Sequence, residues 1–182
     1  MRKCIVSLLT VFVFVFWGNL FSAVYAETKT LQDFKNSAFI KKYPQKDQMK
    51  SWPLRDGGYD NSLSFRLGND PDSWFSIDVV TKSANNPIIS RFGFMFHDES
   101  GSDYKTKFTP KIKDIIRDFI SSLDSGWPKK DFLEYVQNQS EIKYAKIADA
   151  PRQTFTSLSG KKYYVQVGTV GNSIIFGIDI GQ

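Results

Sequence analysis

The chain has 182 residues, with 24 lysines and arginines against 19 acidic residues, one histidine and one cysteine. Its apolar content of 41% and aromatic content of 15% are too high for a disordered chain, and the length suits a single domain. One cysteine excludes an internal disulfide and a cysteine-rich metal centre.

The first 26 residues have the layout of a secretory signal peptide. Arg2 and Lys3 precede an apolar run from Ile5 to Trp17 that only Ser7 and Thr10 interrupt, and Val24-Tyr25-Ala26 offers a cleavage site. An uncleaved membrane anchor is the competing reading, but Gly18, Asn19 and Ser22 break its second half. Residues 27–182 are expected to form one domain of 156 residues with net charge +3, since Arg2 and Lys3 leave with the presequence. Cys4 leaves too, so no thiol, disulfide or cysteine-held metal is expected, and no transmembrane segment after processing. The expected location is periplasmic or secreted, and the lack of disulfides favours a bacterial source.

After this presequence, Thr30 can cap a short helix with Leu31, Phe34, Ala38 and Phe39 on one face, ended by Tyr43-Pro44. Residues 43–61 read as a basic loop. Three strands follow at 62–67, 74–81 and 88–96, each alternating apolar and polar residues, as an antiparallel meander with one buried face does. In the third, Ile88, Phe92, Phe94 and Phe96 are assigned to the buried side. Thr109-Pro110 opens a helix over 110–124, with Ile112, Ile115, Ile116, Phe119, Ile120 and Leu123 at helical spacing. A second runs over 128–139 with Phe132, Leu133 and Val136 inward, and 140–150 fits no pattern. Strands at 154–158, 161–168 and 173–180 end the chain. The order α-βββ-αα-βββ is α+β: an antiparallel sheet of about six strands with two or three helices on one face.

Candidate chemistry is sparse. His97 is the sole histidine and opens an acidic loop containing Asp98, Glu99 and Asp103. It could serve a hydrolase as base or a metal as ligand, yet no G-x-S-x-G elbow is present and a solvent-exposed loop histidine explains it as well. The carboxylates of Asp56 and Asp60, Asp70 and Asp72, and the His97 loop lack calcium-loop spacing and suit turns. Trp74, Trp127, Tyr163 and Tyr164 are placed toward the rim of the sheet. Lys41, Lys42, Lys46, Lys50 and Arg55 surround Trp52 and Tyr43, giving residues 41–55 a net charge of +4. With Trp52 as an apolar anchor, these five cations are the candidate binding site for an anionic partner, and a solvated tether is the plainer alternative.

These features point to a small extracytoplasmic, non-enzymatic protein that binds another protein or an anionic envelope component, in the manner of an inhibitor or immunity protein. Nucleic acid suits the charge but not the compartment. No cofactor or metal is expected. The alternatives are a small-molecule or lipid carrier with an apolar pocket, and a hydrolase that uses His97.

Overall fold

The structure is a computed structural model that describes residues 28–43, 45–67, 73–97 and 106–181. The presequence, the turn with Asp70 and Asp72, and the loop with Asp98, Glu99 and Asp103 lie outside the described residues. The fold is α+β, built on one seven-stranded antiparallel sheet. Its strands are β1 (Lys50–Pro53), β2 (Tyr59–Arg66), β3 (Trp74–Ser83), β4 (Asn86–His97), β5 (Gln153–Thr156), β6 (Lys162–Val170) and β7 (Ser173–Ile180). Across the sheet the order is β1-β2-β3-β4-β7-β6-β5. Two meanders therefore meet at the centre, where β4 pairs with β7 and Phe94 stands opposite Phe176.

The helices are α1 (Leu31–Lys35), α2 (Ala38–Lys42), α3 (Pro110–Leu123) and α4 (Lys129–Ser140). The first helix expected from the pattern is thus two single turns. Thr30 and Asp33 cap α1 reciprocally, with bonds of 3.1 and 2.9 Å. Ser37 then starts α2 by accepting the Ile40 N–H. Each serine or threonine side chain supplies an acceptor for a donor that a helix start would otherwise orphan. Thr109 does the same for α3, whose first residue is Pro110.

All four helices lie on one face. Phe34 of α1 meets Phe92 at 5.4 Å between ring centroids, and Phe39 of α2 meets Phe65 at 6.0 Å. Phe119 of α3 stands edge-on to Phe94 at 4.3 Å and to Phe92 at 5.1 Å. Phe132 of α4 meets Phe155 of β5 at 5.3 Å. Edge-to-face rings at these separations are favourable beyond the area they bury. These rings in contact fill the space between the helices and the sheet.

Three expectations need correction. Residues 43–61 are not one loop. Gln45 bridges Phe65, the Lys46 N–H reaches the Ser64 carbonyl at 2.7 Å, and β1 then pairs with β2, so this segment forms the sheet edge. With β1 added, the described residues form seven strands, in keeping with the expected sheet of about six. Ile88 is 45% exposed, whereas Ile89 is buried. The cause is a register shift in which Val80 faces Arg91 but Thr81 faces Ile89, which leaves Ser90 as an extra residue in β4. Finally, Trp127 and Tyr163 are core residues with ring centroids 4.0 Å apart. The Tyr163 hydroxyl donates to buried Asp124 at 2.8 Å.

Candidate functional site

The helices cover one side of the sheet and leave the other open. Residues directly opposed in an antiparallel pair share a face, so the open side can be traced along the register. One row runs Trp52, Asp60, Val80, Arg91, Asp179, Tyr164, Thr154. The next carries Lys50, Ser62, Asp78, Gly93, Gly177 and Gln166, and beyond it lie Ser64, Ser76, Met95, Ile175 and Gly168. Trp74 pairs with His97 at the end of β4.

A groove of about 370 Å³ lies across the middle of this face. The opposed glycines Gly93 and Gly177 keep its floor low. Asp60, Asp78 and Val80 stand on one side, with Arg91, Met95, Ile175 and Asp179 along it. The far wall is the 3-10 turn Ile147–Asp149, through Ile147 and Ala148. Gln166 ties that turn down by donating to the Ala150 carbonyl at 2.8 Å and the Ala148 carbonyl at 3.3 Å. The unpatterned segment 140–150 thus leaves α4, bridges the β6 edge between Lys143 and Thr169, and reaches the open face at Ile147 and Ala148.

Charge in the groove is mixed. Asp179 pairs with Arg152 at 2.5 Å, and the Arg152 guanidinium also lies 4.7 Å from the centre of the Tyr164 ring. Asp60 has one carboxylate oxygen buried without a hydrogen-bond partner. Burial pushes its carboxyl above the usual range, Asp78 adds repulsion, and Arg91 pulls the other way. An ionised oxygen held away from water without a donor is a costly group that a bound donor would relieve. Among the described residues, no group of three or more histidine, cysteine or acidic side chains could hold a metal ion.

Lys41, Lys42, Lys46, Lys50, Trp52 and Arg55 are all exposed, but they do not share one face. Lys50 and Trp52 point to the open side with Ser62 and Asp60. Lys42 lies with α2 on the covered side, where it donates to Asp118 at 2.7 Å beside the Tyr43 hydroxyl at 2.6 Å. The cations therefore flank the β1 edge. Lysine and proline along a sheet edge block pairing with another chain, which gives Lys46, Lys50 and Pro53 a structural reason to be there.

His97 meets Ser173, with Nδ1 and Oγ 3.1 Å apart, and its ring lies against Trp74 at 5.3 Å. Ser173 is 9% exposed and lines none of the groove.

Compared with known proteins, the chain matches no family model, no curated protein and no solved structure. The site therefore rests on its own geometry. The sequence singles out Trp52 only as the anchor of the basic segment and Tyr164 only as a rim residue, and it gives no signal for Asp78, Arg91, Met95, Gln166, Ile175 and Asp179. Asp60 was counted among turn carboxylates, whereas it is a β2 residue.

Proposed function

We propose that this is a non-enzymatic binding protein that engages a protein partner through the open face of its sheet, outside the cytoplasm. One observation carries the reading: the face opposite the helices presents Trp52, Trp74, Tyr164, Met95 and Arg91 around a groove of about 370 Å³. Tryptophan, tyrosine, methionine and arginine are the residues enriched where proteins meet, and they supply most binding energy when they surround a recess. A protein partner fits better than a flat anionic surface, because the cations flank the β1 edge while carboxylates and arginines alternate on the face. The extracytoplasmic location rests on the basic start, apolar run and Val24-Tyr25-Ala26 of the presequence. Among the described residues no helix is long and apolar enough to cross a membrane.

Site-specific photocrosslinking in the native host tests both parts. A photoreactive amino acid at Met95 or Trp52 should give one adduct of fixed mass. The same group at Lys111, on the outer side of α3, should give none. The chain within the adduct should begin at Glu27. Equal adducts from Lys111, or none from the sheet face, would remove the open face as the binding surface. A retained Met1–Ala26 segment would remove the exported location.

A further inference from the structure

We propose, given that the open face binds a protein, that its groove seats one lysine side chain of that partner, with the ammonium between Asp60 and Asp78 and the stem over Gly93 and Gly177. Asp78, Gly93, Gly177 and Gln166 form one cross-strand row of the register. The row runs through the groove, from the carboxylates to the Ile147–Asp149 turn that Gln166 holds down.

Neither glycine is demanded by the fold. Neither has a positive φ. A Cβ at Gly177 would meet nothing nearer than the Phe92 carbonyl at 3.9 Å, and one at Gly93 would meet Asp78 at 3.5 Å, both ordinary contacts. Gly168, one row further along the face, is different, because a Cβ there would run into the Tyr144 ring. Glycine weakens a strand interior and often marks a place where a ligand or another backbone comes close. Here two glycines lie side by side where β4 pairs with β7, and the room above them is the groove itself. The trough spans one inter-strand spacing, roughly 4.8 Å, with Met95 and Ile175 along its side. Lysine lays its four-carbon stem on apolar surface of this kind and keeps only its head polar.

The charge at the head of the row selects a cation. Asp60 and Asp78 stand on the neighbouring strands β2 and β3, and both line the groove. Burial and the charge of Asp78 raise the Asp60 carboxyl. Arg91 draws it down through charge, yet one Asp60 oxygen stays buried with no hydrogen-bond partner. Asp179, opposite Arg91, is already answered by Arg152. A donor that also carries positive charge would satisfy the buried oxygen and offset the repulsion between Asp60 and Asp78. Carboxylates on separate strands suit a compact ammonium with three rotatable donors, whereas the planar fork of arginine matches both oxygens of a single carboxylate. An anionic side chain would meet Asp60 and Asp78 with like charge, and a purely apolar one would leave the buried oxygen without a donor.

Two crosslinks in the native host test this. A photoreactive amino acid at Trp52, which lies outside the groove lining, reports capture of the partner. A carbodiimide, which joins a carboxylate to an amine in contact with it as an amide, should link Asp60 or Asp78 to one lysine of the same partner, as read by mass spectrometry of the digested adduct. Asp60→Asn with Asp78→Asn should lower the Trp52 adduct at least tenfold. Gly177→Val should do the same by filling the trough. Glu134→Gln, at an exposed position of α4, should leave the adduct unchanged. The urea midpoints of the asparagine and valine variants should stay at or above that of the wild type, since valine suits a strand and asparagine removes the repulsion. A drop in midpoint that matches the loss of adduct makes these residues structural and overturns the proposal, as does the absence of an amide at both Asp60 and Asp78. A Trp52 adduct that survives the two asparagines, or is lost only with Gly177→Val, overturns the lysine seat and leaves the open face as the binding surface. No adduct from Trp52 or Met95 in the otherwise unchanged chain removes the open face itself, and this seat with it.

Discussion

Asp60 and Asp118 show how the two faces of the sheet treat a carboxylate. On the covered side Asp118 accepts from Lys42 and Tyr43. Burial alone would raise its carboxyl, but these bonds and the nearby cations bring it below the ordinary value. Its stabilisation is present above the unfolded-state value and is lost as the pH falls through the lower folded one. Asp60 is the reverse case. Burial and Asp78 raise its carboxyl, so the folded state holds the proton more tightly than the unfolded chain does. Ionising it costs stability. That cost is absent below the unfolded value, grows as the pH rises through the folded one, and is fully present above it. Asp60→Asn should therefore raise the unfolding free energy measured in urea at pH 7, by less than about 1 kcal/mol because solvent screens a half-open side chain. The gain should vanish near pH 3, below the ordinary aspartate value of about 3.9. A gain equal at both pH values would show that shape rather than charge is responsible.

At the level of elements, the segment after α4 carries the most specific expectation. Residues 147–150 form the far wall of the groove, yet they lie on the sheet mainly through the Gln166 amide and the Lys143–Thr169 bridge before them. Gln166→Ala should cost about 0.5–1.5 kcal/mol, the net value of a typical hydrogen bond. Its clearer effect should be local: faster exchange of the Asp149 and Ala150 amides, which close the turn onto Lys146 and Ile147. Unchanged exchange at those amides would mean that the turn holds itself. No pattern in the sequence announces this wall, and the reason is physical. Strands β2, β3, β6 and β7 are legible because one face of each is buried, so apolar residues recur every second position. β1 is hidden because all four of its side chains are exposed, and β4 misleads at Ile88 because the extra residue Ser90 shifts the alternation. The groove is hidden for a third reason. Asp78, Arg91 and Asp179 occupy polar positions of alternating strands, where a sequence reads only solvent. Only the pairing of β4 with β7, two strands far apart in the chain, sets Arg91 against Asp179 and Gly93 against Gly177.

Across the whole molecule, the proposed function assigns stability to one face of the sheet and recognition to the other, and β4 tests that division because it is the central strand of the sheet. Phe92, Phe94 and Phe96 are buried against the helices and neighbouring rings. At the alternate positions of the strand, Arg91 is exposed and Met95 and His97 are half-buried on the open side. An alanine scan along β4 should therefore oscillate with period two. Phe92→Ala, Phe94→Ala and Phe96→Ala should each cost about 3–5 kcal/mol, as truncation of buried aromatics does. Arg91→Ala should stay within about 0.5 kcal/mol, the range of surface changes, and Met95→Ala should fall well below any of the three phenylalanines. The denaturant slopes should match the wild type, because the surface exposed on unfolding is unchanged. The photocrosslinking yield should follow the opposite phase, falling at Arg91→Ala while the protein stays folded. If Arg91→Ala and Met95→Ala destabilise as much as Phe94→Ala, the open face is a second core surface, and the partner must bind elsewhere.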